Sequence, residues 1–290
     1  MANSLTGGPY DEFYASQYDK IWGEGSVWNV EQKFHTETVS ELLKNATSWL
    51  DAGCGTGALL SRFPKQKRAG FDFSKAMLQQ AAKANPDIPL FEHNLMNEKA
   101  EWSNQWDLVT CTGQPWAYLP DLNAISKAVS NLSSLVSEKG TLMLTILDIS
   151  DFTGVYPTYY FTEEDIPNDA PVIRAIHWHY KELDSVMHEC LSPTLDQWVR
   201  WLSDHFQKIE ILHWPHEPDF LLVPRRVIIC REKKTSGENN KTSVIELKKP
   251  EKKTSAIFAI SSVELMKELG SRALSGRLIK GLSKKMLSKK

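Results

Sequence analysis

Three glycines at alternate positions follow an acid in Ser48-Trp49-Leu50-Asp51-Ala52-Gly53-Cys54-Gly55-Thr56-Gly57, and a second acid, Asp72, lies nineteen residues beyond Gly53. An apolar run ending in Asp51, a glycine turn and a new apolar pattern from Ala58 read as strand, tight turn and helix start. Glycines at such a turn admit positive φ and let a ligand approach the main chain. The free N–H groups of the helix that follows favour an anionic group. The stretch therefore predicts a site for a ligand bearing a carboxylate or a phosphate.

Gly53-Cys54-Gly55-Thr56-Gly57-Ala58 also fits the dinucleotide pattern G-x-G-x-x-G/A, with Asp72 close to the place of a ribose-binding acid. Asp51 argues against a diphosphate. At about 4 Å, two like charges repel by roughly 4 kcal/mol at an effective dielectric near 20. A ligand with both a carboxylate and an ammonium suits the site better, its carboxylate on backbone N–H groups and its ammonium by Asp51. S-adenosylmethionine has both, and a ribose for Asp72.

From these residues the chain resembles the class I S-adenosylmethionine-dependent methyltransferases of small-molecule type. Asp51-Ala52-Gly53-Cys54-Gly55-Thr56-Gly57 resembles their first motif. Gly70-Phe71-Asp72-Phe73-Ser74-Lys75-Ala76-Met77-Leu78 is similar to the second, whose acid takes the ribose hydroxyls. Trp106-Asp107-Leu108-Val109-Thr110-Cys111-Thr112-Gly113 resembles the fourth strand and the loop under the methionine moiety. Gly140-Thr141-Leu142-Met143-Leu144 is similar to the fifth strand, and the last two strands resemble the family's reversed ending. The likeness covers about residues 10–231.

The resemblance implies S-adenosylmethionine as cofactor, held by Tyr14, Tyr18, Asp51, Gly53, Cys54, Gly55, Gly57, Asp72, Phe73, Met77, Asn94, Leu95, Thr112 and Gly113. Asn94 stands where the family usually has an acid beside the adenine amine, and its amide oxygen can still accept an N–H.

Methyl transfer needs the acceptor atom in line with the methyl at about 3 Å, and no catalytic motif is obligatory. Where an acceptor must lose a proton, a histidine could take it. His177, His179 and His188 are the candidates, His177 and His179 on one face of a strand with Trp178 and Tyr180 on the other; His213 and His216 are weaker. Each has the alternative of a structural role. Gln114, Trp116 and Tyr118 follow the fourth strand at the carboxyl edge, where α/β sheets bind ligands. With Tyr160 and Trp178 they are the acceptor-binding candidates, and simple packing is the alternative for Trp116. No Asn-Pro-Pro-Tyr-type tetrapeptide follows that strand. Thr112-Gly113-Gln114-Pro115-Trp116 stands there, which favours a small metabolite over a DNA adenine or a protein glutamine.

Strands and helices must alternate to place these residues. Strands are expected at about 47–51, 68–72, 89–93, 106–111 and 141–147, with helices at 58–63, 75–84 and 121–136. A helix at 195–206 and strands at 208–214 and 226–231 close the pattern. The fold class is α/β: a doubly wound, mostly parallel, seven-stranded Rossmann-like sheet with an antiparallel last strand. Residues 1–46 are expected to be an N-terminal helical lid. Its aromatic stripe, Tyr10, Tyr14, Tyr18 and Trp22, faces either the core or a ligand mouth. Residues 47–232 form the methyltransferase domain, within which 151–192 is a β-rich, acceptor-binding insertion after the fifth strand. Residues 233–255 read as a linker, and 256–290 as a basic amphipathic helical tail.

The net charge of −2 at 290 residues hides an asymmetry. Residues 233–290 hold 15 Lys/Arg against 5 Asp/Glu, so the rest of the chain is acidic, which argues against nucleic acid. The tail could dock a protein partner, lie on an anionic membrane surface or remain solvated. The four cysteines are scattered without C-x-x-C spacing, so neither a disulfide framework nor a metal site is expected. No apolar run approaches the length of a membrane span, and no leader pattern opens the chain. A cytoplasmic protein is the expectation. Two other readings stay open: a non-catalytic subunit of this fold docked through its tail, and an NAD(P)-dependent oxidoreductase.

Overall fold

The computed structural model describes residues 10–22, 29–146, 172–174, 189–191, 193–214, 225–235 and 241–246. The expected tail, most of the insertion, and Tyr160, His177, Trp178 and His179 lie outside the described residues.

Two helices come first, α1 (Glu12–Trp22) and α2 (Asn29–Leu43). The alternation then runs β1 (Trp49–Ala52), α3 (Ala58–Ser61), β2 (Arg68–Asp72), α4 (Lys75–Ala84), β3 (Leu90–Glu92), β4 (Trp106–Cys111), α5 (Leu122–Leu135) and β5 (Val136–Ile146). A short antiparallel pair, β6 (Val172–Arg174) with β7 (Glu189–Leu191), falls in the expected insertion. The chain ends with α6 (Leu195–Ser203), β8 (Phe206–Trp214), β9 (Arg225–Lys233) and β10 (Ser243–Glu246).

The main sheet has the order β10-β8-β9-β5-β4-β1-β2-β3. Among the described residues, only β9 runs against its neighbours in this sheet, pairing antiparallel with β5 and β8; the other pairings are parallel. The expected reversed strand is therefore present, but among the described residues the sheet has eight strands rather than seven. The eighth is β10, inside the stretch whose composition reads as linker. The β-branched pair Val244-Ile245, set in Lys-, Thr- and Ser-rich sequence, forms a strand there because β8 offers it a ladder, Ser243↔Lys208 to Glu246↔Ile211, and an edge strand can stay solvated.

Every residue of β1 is buried, as a parallel strand covered on both faces requires. Alternate side chains serve two cores. Leu50, Ala52, Val109, Cys111, Leu142 and Leu144 pack under α5 and α6 with Trp116, Trp198 and Phe206. Trp49, Leu108, Met143, Val227 and Ile229 pack on the other face against Val39 of α2 and Leu59 and Leu60 of α3.

Local signals set the helix starts. Ser74 caps α4, its hydroxyl accepting the Met77 N–H, and Asp121 caps α5 by accepting from Ala124 N at 2.8 Å. Thr194 and Gln197 form a reciprocal capping box on α6. At the far end of α5, Lys233 Nζ donates to Ser134 O at 3.0 Å and Val136 O at 2.7 Å, which satisfies carbonyls at the helix end and lets α5 run directly into β5. The sheet order reverses between β1 and β4, so the carboxyl ends of these two strands flank the crevice where this architecture binds ligands.

The turn after β1 is left-handed at all three glycines, with φ of 67° at Gly53, 55° at Gly55 and 71° at Gly57. A Cβ on Gly57 would sit 2.6 Å from Asn85 Nδ2 and 3.1 Å from Ala81 Cβ, so α3 could no longer seat against α4. Asn85 Nδ2 donates to Gly57 O at 3.0 Å and would lose that bond. Gly57→Ala is therefore expected to destabilise the fold by more than about 2 kcal/mol, since left-handed strain alone costs about 1–2 kcal/mol. Urea unfolding of the two proteins checks this; equal midpoints would contradict it.

Candidate functional site

A cleft opens at the crevice between β1 and β4. Its walls bring together nine residues singled out by the sequence: Tyr18, Gly53, Gly55, Asp72, Phe73, Met77, Asn94, Leu95 and Gly113. Tyr10, Phe71, His93, Pro115 and Leu119 complete the lining. Tyr10 was visible as the first ring of the aromatic stripe. The other four carry no local signal that separates them from ordinary strand and loop residues.

Asp72 ends β2 at the base of the cleft. Its Oδ2 accepts the Gly55 N–H at 2.9 Å and its Oδ1 accepts the Ser74 N–H at 2.8 Å. One bond comes from the glycine turn and the other from the start of α4, so the carboxylate locks the two segments together. Each oxygen keeps a lone pair for a further donor. Burial raises the Asp72 pKa, and the backbone bonds from Ser74 and Gly55 oppose that rise.

Asp51 lies under the turn, 3% exposed. Its Oδ1 accepts the Thr110 hydroxyl at 2.6 Å, and that hydroxyl in turn accepts the Trp49 indole N–H at 2.9 Å. Burial raises the Asp51 pKa from 3.8 to about 7; the Thr110 bond lowers it and Asp72 adds to the rise. Thr110 is the residue that sequence reading missed here. It faces Asp51 only through the β1–β4 register, a pairing that no local pattern encodes.

The far wall comes from the end of β3. Asn94 Oδ1 accepts the Met96 N–H at 2.9 Å and retains a second lone pair toward the cleft. His93 stacks edge-on to Phe71, with ring centroids 5.2 Å apart, and its Nε2 pairs with Asn97 O at 3.1 Å. Burial lowers the His93 pKa. Past β4 the chain turns tightly, Gln114 N donating to Thr112 O at 2.6 Å, and Gln114 takes a left-handed φ of 56°. Gly113 lines the cleft where a Cβ would meet nothing within 4 Å.

The remaining sequence candidates are placed differently. Tyr14 is buried behind the cleft and packs edge-on to Tyr10 and Tyr18, at 5.1 and 5.6 Å. Cys54 contributes backbone to the turn, its N–H bonding Phe71 O at 2.9 Å, while its side chain belongs to the core with Leu59 and Leu60. Burial pushes its thiol pKa up. Gly57 sits at the back of the turn against α4. Trp116 is 2% exposed, and its ring packs edge-on to Trp198 at 5.0 Å, in the core rather than on the cleft. Nothing is described of the Tyr118 side chain.

α1 and the residue that leads into it, Tyr10, are fastened to the cleft at two points. Thr56 Oγ1 donates to Asp19 Oδ1 at 2.6 Å, and Ser74 Oγ donates to Tyr10 O at 2.8 Å. Burial raises the Tyr18 pKa far above its ordinary value, so the phenol stays neutral. Among the described residues no cluster of three or more His, Cys, Asp or Glu is arranged to hold a metal ion, and no helix is long and apolar enough to cross a membrane.

Comparison with known proteins agrees with this geometry. Residues 50–140 match a family described as a methyltransferase domain. A dTDP-4-amino-2,3,4,6-tetradeoxy-D-glucose N,N-dimethyltransferase of Saccharopolyspora spinosa is 28% identical over 142 residues, 48% of this chain and 56% of that protein. The aligned part thus spans little more than half of that relative's length. Two solved structures share the fold. One is an amino pentose methyltransferase from Micromonospora echinaspora with S-adenosylmethionine bound (TM-score 0.51, 17% identity, 79% of this chain and 100% of that one). The other is a sugar N-methyltransferase from Streptoalloteichus (TM-score 0.54, 18% identity, 81% and 96%).

The cleft fits the cofactor of that family. Asp72 presents its carboxylate to the cleft, Gly53 and Gly55 line it without side chains, and Asp51 lies beneath that turn. Residues 50–140 match a methyltransferase domain, and the fold around them is shared with solved methyltransferase structures, one of them holding S-adenosylmethionine.

Proposed function

We propose that the chain transfers a methyl group from S-adenosylmethionine to a nitrogen of a small-molecule acceptor, an amine on a sugar-like ring. The observation that carries the cofactor half is the Asp72 carboxylate, held by the Gly55 and Ser74 N–H groups and turned to the cleft. The acceptor half rests on the three relatives above, each named for a sugar or an amino pentose and two of them for N-methylation. The acidic body of the chain supports a cationic or neutral acceptor over nucleic acid.

S-adenosylmethionine supplies an electrophilic methyl on a good leaving group, so the protein's part is orientation and exclusion of water. Asp72 and the glycine turn hold the ribose end. Asp51 offers a carboxylate for an ammonium. Tyr10 and Tyr18 close one side of the cleft with apolar ring surface, and Gly113, Pro115 and Leu119 shape the other. Residues 151–192 and Gln114 are the proposed acceptor side, with His177 or His179 taking the proton of the alkylated amine.

Calorimetry with S-adenosylmethionine and with NAD(P), followed by mass spectrometry of amino-sugar mixtures, tests this. The expected result is S-adenosylmethionine binding, no nicotinamide binding and the gain of one methyl by an amine. Binding without transfer to any amine would overturn the acceptor half and favour the non-catalytic subunit; absent binding would overturn both.

A further inference from the structure

Trp49, Asp51 and Thr110 form a buried hydrogen-bond chain. Trp49 and Asp51 are two residues apart on β1 and so share a face, and Thr110 of β4 is the register partner of Asp51. Trp49 is 0% exposed, Thr110 0% and Asp51 3%. The indole N–H can only donate. By donating to Thr110 Oγ1 at 2.9 Å, it leaves the hydroxyl proton to Asp51 Oδ1, 2.6 Å away. Bonds aligned in one direction polarise one another, and a hydroxyl donating to a carboxylate favours the charged form.

The surroundings oppose that charge. Burial and the Asp72 carboxylate both act to keep Asp51 protonated, and the thiols of Cys54 and Cys111 are themselves held neutral by burial. Among the described residues, the Thr110 hydroxyl is what counters them.

We propose that Thr110 is a positioning residue for the cofactor: oriented by Trp49, its hydroxyl keeps Asp51 a carboxylate that receives the ammonium of the cofactor's amino-acid end. This rests on the cofactor reading above. Trp49 has the same task one step removed, fixing which way the hydroxyl points.

The test is equilibrium binding of two probes between pH 6 and 9. S-adenosylmethionine carries the ammonium. 5′-Methylthioadenosine keeps the adenosine and lacks the amino-acid end. Thr110→Val is isosteric and deletes the hydroxyl. It is expected to weaken S-adenosylmethionine about tenfold at pH 7, the scale of a hydrogen bond to a charged group. The deficit should shrink toward pH 9, where Asp51 ionises without help, while 5′-methylthioadenosine binds the variant as it binds the unaltered protein. Thr110→Ser should restore both affinities. Trp49→Phe should show a loss confined to S-adenosylmethionine, with the same pH dependence.

Equal loss of both probes in Thr110→Val, or a deficit that does not change with pH, would assign Thr110 to packing alone and overturn the proposal. Failure of the unaltered protein to bind either probe would instead remove the cofactor reading on which it rests.

Discussion

Replacing Asp72 by alanine is expected to weaken S-adenosylmethionine binding by at least tenfold, with little loss of fold. Each carboxylate oxygen takes one backbone N–H, from Gly55 or Ser74, and has a lone pair left for a ribose hydroxyl. A hydrogen bond to a charged acceptor contributes about 1.5–3 kcal/mol, so losing two exceeds a tenfold change in affinity. The same substitution strips the Gly55 and Ser74 N–H groups of their acceptor and loosens the turn that approaches the ligand. The cleft is open to water, which can replace the carboxylate on those N–H groups, so the melting temperature should fall only slightly. Asp72→Asn keeps one acceptor oxygen and is expected to fall between. Titration calorimetry on the three proteins decides the matter; undiminished affinity in Asp72→Ala would remove the ribose assignment.

Asp51→Asn should act in opposite directions on stability and binding. The folded protein holds the Asp51 carboxyl at about 7, against 3.8 for an unburied carboxyl. A group raised on folding contributes most below the unfolded value, and that contribution is lost as pH rises through the folded value. The charge penalty therefore opens near pH 4, grows up to about pH 7 and is constant above it. Asparagine cannot ionise and can still accept the Thr110 hydroxyl. At pH 8 the ligand-free variant should be more stable than the parent by roughly 2–4 kcal/mol, and near pH 4 the two should converge. The same variant should bind S-adenosylmethionine at least tenfold more weakly, because the ammonium loses its carboxylate partner. Thermal melts across pH 4–8 without ligand check the first half. An unchanged melting temperature at pH 8 would show that Asp51 carries no penalty in the folded state.

The pattern behind the two effects is a site that stores an unfavourable charge until a ligand neutralises it. Such perturbed groups concentrate at binding sites.

Much of this site was legible because its signals are short-range. β4 and α4 lie where the sequence places them: an apolar run fixes the first, and the Ser74 cap with Pro86 just past the end fixes the second. The glycine turn and Asp72 read directly for the same reason. Pairings across the chain did not read. Ser243–Glu246 looks like linker because Val244-Ile245 is only a two-residue apolar pair within Lys-, Thr-, Ser- and Asn-rich sequence, and it becomes a strand through β8. Trp116 follows a carboxyl edge and so resembles a wall of the acceptor site, yet Trp198, from a helix far along the chain, draws it into the core. Thr110 is an ordinary strand threonine until the β1–β4 register sets it against Asp51. The expected helix at 195–206 ends at Ser203, because Phe206 already belongs to β8 and pairs with Lys233.

The two bonds that fasten α1 have a thermodynamic meaning. Thr56 belongs to the glycine turn and Ser74 starts the helix beside Asp72, so α1 is attached to the segments that would grip the ribose. Docking of this helix and occupancy of the cleft are then linked equilibria: whatever firms the turn strengthens the helix contacts, and the converse holds by the same factor. A change such as Asp19→Ala, which loosens one of these bonds without removing a residue of the cleft wall, would still register in the dissociation constant.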